Sequence, residues 1–325
     1  MTVAPERRVG PPRIGLQLPT TDGYLAGYGD LRRVASKAEE AGFDGLWVGD
    51  HFSFNAPVLE AFVAASTAAA VTEQVAIGFG VLVAALRHPG WVAKQVSSLQ
   101  VICNDRVELG IGVGGEFVDE WRAVGVPPAE RAARTDELLR HLPDLLTGQV
   151  VDLGPPWNTR IPPLRPYGTI PPLWIGGRAD IALRRAVGNG AGWLGVWVDE
   201  TRLAASITRL RELAGEAGVA VPPAAVEVLV HPGRDIEHGE AEMAQFMERI
   251  YGIPFGRVSR YTIAGDEDRI LERLRPMVEL GVDTVVLIPA LRDPLPHLPA
   301  LARVAAALRA VPQLPNAPSE AKSSA

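Results

Sequence analysis

The sequence predicts an α/β fold of the (β/α)8 type, a TIM barrel, on three observations. Eight short β-like runs alternate with helical patterns along a chain of 325 residues. Those runs are apolar nearly throughout, the pattern of parallel strands covered on both faces. The first run is followed by Pro19-Thr20-Thr21-Asp22, where a dinucleotide-binding sheet would carry a Gly-rich fingerprint. An open doubly wound sheet is the second choice.

The strands are read as Arg13–Leu18, Gly45–Gly49, Val75–Val83, Val107–Gly112, Leu173–Gly176, Gly192–Val196, Val226–Val230 and Thr284–Ile288. Helical patterns cover Gly29–Ala41, Gly90–Ile102, Ala129–Leu146, Ala179–Val187, Asp199–Ala217, Glu240–Tyr251, Asp266–Leu280 and Leu298–Ala310. Two joints share one form. Glu40-Ala41-Gly42-Phe43-Asp44 and Glu279-Leu280-Gly281-Val282-Asp283 each end a helix on glycine and enter a strand. Residues 1–12 and 311–325 read as disordered tails around a single barrel domain, 13–310, because they are rich in charge, Pro, Ser or Ala. The long Pro/Gly-rich stretch around 148–171 reads as a lid over the site, with a plain surface excursion as the alternative, and its Trp157 and Tyr167 suggest an apolar or aromatic substrate.

Composition excludes several classes. A net charge of −6 without a Lys/Arg run argues against a nucleic-acid partner. No apolar run approaches the roughly 20 residues of a membrane span, and no signal-peptide core opens the chain, so the cytoplasm is the expected location. One cysteine, Cys103, allows neither an intrachain disulfide nor a thiolate metal site and reads as a buried thiol at a helix end. The six histidines are scattered and the first strand has no His-x-His, so no metal is expected. The apolar faces of Ala61–Ala70 and Leu301–Leu308 suit a homodimer contact or core packing equally.

Barrel enzymes do chemistry on the loops after the strands. After the second strand, Asp50 and His51 put a carboxylate beside an imidazole, a proton-handling pair. In the third, Gly78-Phe79-Gly80-Val81 reads as a bulge or a close backbone approach; packing of a large neighbour is the bland alternative. His88, opening the next helix, reads as a loop residue. After the fourth strand, Gly112, Gly114 and Gly115 let backbone amides crowd an anion or ring edge, and Glu116 offers a second acid/base group. The acidic pair Asp119-Glu120 reads as the start of a solvated helix. After the fifth, Gly176, Gly177 and Arg178 precede a helix N-terminus and form a phosphate cradle, with Asp180 a candidate cap.

These segments, with Gly42-Phe43-Asp44, Asp50-His51-Phe52, Gly80-Val81, Arg106 to Gly115-Glu116, Glu130-Arg131 to Leu139 and Ile175-Gly176-Gly177, resemble the luciferase-like monooxygenase superfamily through most of residues 13–290. The resemblance implies a flavin or deazaflavin ring at the barrel mouth. In the deazaflavin branch it implies a non-prolyl cis peptide, here Gly80–Val81, behind that ring. It also implies that the strand-four glycines and the Gly176-Gly177 loop hold the cofactor tail and phosphate. The chain departs from the pattern in carrying Asn104-Asp105 where relatives have a Gly pair, and in lacking clear ligands for a sugar phosphate. The leading expectation is coenzyme F420-dependent hydride transfer involving a small-molecule substrate. In it Asp50 bonds the cofactor, His51 passes a proton and Glu116 is its partner. The alternatives are a reduced-FMN monooxygenase with a separate flavin reductase, and a non-catalytic flavin-binding protein.

Overall fold

The computed structural model describes residues 10–21, 30–115, 117–291 and 293–312. Strands follow in chain order as β1 (Arg13–Gln17), β2 (Gly45–Val48), β3 (Ala76–Leu82), β4 (Val107–Ile111), β5 (Val151–Leu153), β6 (Thr159–Ile161), β7 (Leu173–Gly176), β8 (Gly192–Val196), β9 (Ala224–Pro232), β10 (Thr262–Gly265) and β11 (Thr284–Pro289). Eight of them, β1 to β4, β7 to β9 and β11, pair in parallel around a closed ring: β11 returns to β1, and β8 joins β9. The predicted (β/α)8 barrel is therefore the fold, and all eight expected strands are present.

The helices are α1 (Asp30–Glu40), α2 (Ala61–Ala69), α3 (Pro89–Ile102), α4 (Val118–Ala123), α5 (Arg131–Leu146), α6 (Asp180–Gly188), α7 (Glu200–Ala217), α8 (Ile236–Tyr251), α9 (Glu267–Glu279) and α10 (Leu298–Arg309). Sequence reasoning passed over α2 as a helix, since AFVAASTAA has no polar face to set a period. Its alanines pack inward, and Leu301, Val304 and Leu308 of α10 are likewise buried, so core packing accounts for both stretches offered as dimer faces. The strand β10 was missed too. It pairs with Leu229–Pro232 of β9, beyond the point where β8 leaves that strand.

Two shells of apolar packing hold the barrel. The outer one lies between strands and helices. The inner one is built on Trp47, Trp174, Leu194, Ala225 and Val286, with Val81 packed against it. Trp47 and Trp174 meet edge to face at 6.5 Å, and Trp174 Nε1 donates to the buried Glu108, which also pairs with Arg13. Gly78 is a glycine because Trp47 fills the space its Cβ would take, so the bland reading holds there. Arg106 ties the barrel bottom together by donating to the carbonyls of Ala69, Thr72, Val75 and Cys103. Cys103 is buried at the end of α3, and burial pushes its thiol pKa up, as a structural thiol requires.

The 148–171 insertion does not form the expected lid. It contains the antiparallel β5–β6 hairpin, and none of its residues lines the mouth cavity. Instead Trp157 lies over Arg134 and meets His88 edge to face, Lys94 bonds the Arg165 carbonyl, and Thr169 joins Asp105. The segment leaves α5 at an αβ connection, so it starts at the bottom of the barrel and straps the outer sides of α3 and α5. Tyr167 is exposed and packs on Gly148. Neither aromatic can therefore report on the substrate. The expected tails fall largely on residues 1–9 and 313–325, outside the described residues.

Candidate functional site

A cavity of about 470 Å³ opens at the C-terminal ends of the barrel strands, within the usual range of about 300–1,000 Å³ for ligand pockets. Asp50, His51, Gly80, Val81, Gly112, Gly114, Gly176, Gly177 and Arg178 all line it. Gly115 is not among its lining residues and turns toward Arg131. Glu116, the expected second acid/base group, lies outside the described residues.

Asp50, expected to bond the cofactor, is anchored within the protein. Its side chain is fully buried and takes both guanidinium nitrogens of Arg87, at 2.6 and 2.8 Å, plus the Val83 amide at 2.9 Å. Arg87 continues to Glu60 at 2.9 Å. Three donors engage the carboxylate, so Asp50 knots β2 to the end of β3. His88 next to it caps α3, its Nδ1 accepting from Gly90 N at 3.1 Å, and burial lowers its pKa.

The partner of His51 is Glu120. Its oxygens lie 3.3 and 3.4 Å from His51 Nδ1, and Oε2 also accepts from the Phe52 amide at 3.1 Å. The expectation of a solvated acidic pair holds for Asp119 alone: Glu120 is completely buried in α4 beside Trp121. A six-residue helix is too short for periodicity to show which of two adjacent acids turns inward. Phe54 stacks on His51 with centroids 3.9 Å apart, fixing the ring plane. A carboxylate at Nδ1 selects the tautomer protonated there and leaves Nε2 as the acceptor.

The bulge and the cis peptide expected in β3 are present. The register against β4 slips between Phe79 and Leu82, and the Gly80–Val81 peptide is cis. The glycines facing it have a reason that was not foreseen. A Cβ on Gly176 would lie 2.6 Å from Val81 Cγ1, and one on Gly112 would fall on Val81 Cγ2. Gly114 is crowded in the same way by Val83 at 2.6 Å. These glycines make room for Val81 and Val83, which prop the cavity floor.

The loop expected to cradle a phosphate leads into a helix start. Gly177 has φ 138°, and α6 begins with no side-chain cap on its free amides. Asp180 does not cap it; it pairs with Arg184 and Arg209, which hold its carboxyl below the usual range. Arg178 lines the cavity beside this helix start.

Sequence reasoning missed three further groups. Arg257 and Arg260 line the cavity, adding cations for an anionic ligand. Aromatic residues cluster on the α8 side: Tyr251 stands edge-on to Phe54 at 5.3 Å and to Trp197 at 5.3 Å. The third is Glu227 of β9, buried, with Oε1 lacking a partner among the described residues. Its carboxyl is pushed up to about 8 by burial. A lone acid inside VEVLV, a run read as covered on both faces, was the available signal. Among the described residues no cluster of ligands suits a metal ion, and no helix is long and apolar enough to cross a membrane.

Comparison with known proteins finds relatives in sequence and in fold. An uncharacterized protein of Mycobacterium tuberculosis is 31% identical over 211 residues, 58% of this chain and 73% of its own. The F420-dependent glucose-6-phosphate dehydrogenase of Beutenbergia cavernae is 34% identical over 175 residues, 50% of this chain and 51% of its own. Among solved structures, an F420-dependent secondary alcohol dehydrogenase superposes with a TM-score of 0.80 at 18% identity, covering 92% of this chain and 99% of that one. Residues 11–284 match the family model described as luciferase-like monooxygenase, so the chain belongs to that family.

Proposed function

We propose that this oxidoreductase holds coenzyme F420 in the mouth cavity and transfers a hydride between it and a small organic substrate. The observation that carries the reading is His51 on the cavity wall with the buried Glu120 behind it. Moving a hydride to or from a carbon–oxygen bond also moves a proton, and an imidazole with a buried carboxylate behind it is suited to hold that proton. Bound F420 would supply the hydride acceptor or donor, because its ring carries carbon where a flavin has its reactive nitrogen.

The residues present fit such a group. Gly80 and Val81 form one wall, and the uncapped start of α6 with Gly177 and Arg178 suits an anionic tail. Gly112, Gly114 and Gly115 belong to the loop that follows β4, beside this wall. Asp50 serves the site at one remove, by fixing through Arg87 and Val83 the loops on which His51 and Gly80–Val81 sit.

The second reading is a reduced-FMN monooxygenase supplied by a separate flavin reductase. It is favoured by the aromatic wall of Phe54, Trp197 and Tyr251, which would shield an oxygen-activating flavin from water. Titration of the protein with F420 and FMN, each oxidised and reduced, separates the readings. Tight F420 binding with weak FMN binding supports hydride transfer. Preference for reduced FMN with oxygen consumption makes the protein a monooxygenase, and binding of neither removes the cofactor assignment.

A further inference from the structure

Glu227 poses a problem that the hydride-transfer reading does not use. It sits midway along β9, paired in register with Val196 of β8 and Val286 of β11. Its inner neighbours are the apolar plug of Trp47, Trp174, Leu194, Ala225 and Val286. An added Cβ at Gly80 would fall on its Oε1, so that oxygen lies against the backbone at the cavity wall. A buried carboxyl without a partner is costly in either protonation state. Nothing in the packing explains why an apolar residue does not stand there.

We propose that Glu227 is a ligand-binding residue whose carboxylic acid donates a hydrogen bond to the acceptor edge of the ring bound at the mouth. Three observations meet in it: the unpartnered Oε1, its contact with Gly80, and its position on the cavity lining. Flavins and deazaflavins share a pyrimidine edge of carbonyl oxygens, which offers acceptors and needs donors. Burial keeps the acid protonated near neutrality, so it arrives as a donor rather than as a repelling anion. The assignment rests on the reading of the mouth as a flavin or deazaflavin site.

The test is a binding titration of wild type, Glu227→Gln and Glu227→Leu with F420 and with FMN from pH 7 to 9.5, with circular dichroism to verify folding. The ratio of wild-type to Glu227→Gln affinity cancels the ligand's own titration. It is expected to fall by about tenfold per pH unit above about pH 8, as wild type loses its donor and the amide keeps one. At pH 7 Glu227→Leu is expected to bind about tenfold more weakly than wild type. A flat ratio with binding intact, or Glu227→Leu binding as well as wild type, overturns the assignment while leaving the site reading in place. Failure of wild type to bind either ring overturns the site reading, and this assignment with it.

Discussion

Replacing Glu227 with glutamine should make the protein more stable, by an amount that grows with pH. In the folded chain burial holds the Glu227 carboxyl near 8, against an ordinary value of 4.5. Between those values the folded state keeps a proton that the unfolded state has lost, so stability falls as pH rises through that window and levels off above it. At about 1.4 kcal/mol per pH unit, the loss reaches about 3 kcal/mol at pH 7 and about 4 kcal/mol at pH 8, where the folded group is itself half-ionised. Glutamine has nearly the same shape and does not titrate. With an unfolding entropy of about 2 cal/mol/K per residue, 3 kcal/mol at pH 7 corresponds to a rise in Tm of about 5 °C. Scanning calorimetry of both proteins from pH 4.5 to 8.5 reads this directly, and the difference between them cancels every other titrating group. A Tm difference that stays constant across the range would refute the reasoning, as would a glutamine variant less stable than wild type at pH 7.

Three further outcomes follow from other parts of the site. His51→Asn should lower kcat by about 10²–10⁴-fold; Glu120→Leu should lower it as well, and the double variant should be no worse than His51→Asn alone, as single-turnover kinetics would register. Gly176→Ala should destabilise the protein by about 1–3 kcal/mol in denaturant unfolding, because the new methyl meets Val81 at 2.6 Å. Adding Val81→Ala should recover part of that loss. Asn104→Gly should stabilise by a few tenths to about 1 kcal/mol in the same assay, since Asn104 holds φ 51°.

That last position illustrates what the sequence could and could not say. Asn104-Asp105 stood out as a departure from a Gly pair; with φ of 51° and 59°, both occupy the left-handed region that glycine serves best and Asn and Asp tolerate next best. The departure was visible because backbone conformation is written in local residue types. The joints at Gly42 and Gly281, with φ of 83° and 93°, were legible for the same reason. The barrel followed from eight apolar runs, whose burial on both faces leaves a pattern in the chain.

The site was legible only as far as strand tips go. Asp50 and His51 were found by position, but their partners were not, since Arg87 and Glu120 approach from 37 and 69 residues away. Charge pairing across a barrel mouth leaves no period in the sequence. The glycines were found without the packing reason that the structure supplies: the side chains of Val81 and Val83 that crowd Gly112, Gly114 and Gly176 come from the end of β3, one strand away from the first two and two strands away from the third. The insertion misled because irregular composition says that a segment is not core without saying which end of the barrel it covers.

The prop formed by Val81 over the tryptophan plug has a consequence for how this protein can change. A guest at the mouth cannot sink along the barrel axis, because Trp47, Trp174 and Val81 close it from below. The half of the rim that follows β3, β4 and β7 is rich in glycine, and a methyl added at Gly80, Gly112, Gly114 or Gly176 meets the side chain of Glu227, Val81 or Val83. The opposite half is furnished by exchangeable side chains, Trp197, Phe246, Tyr251, Arg257 and Tyr261, at the end of β8, on α8 and in the stretch that follows. New substrates can be admitted by redrawing that second half while the first stays as it is, so the mouth is divided into a conserving side and an inventive one.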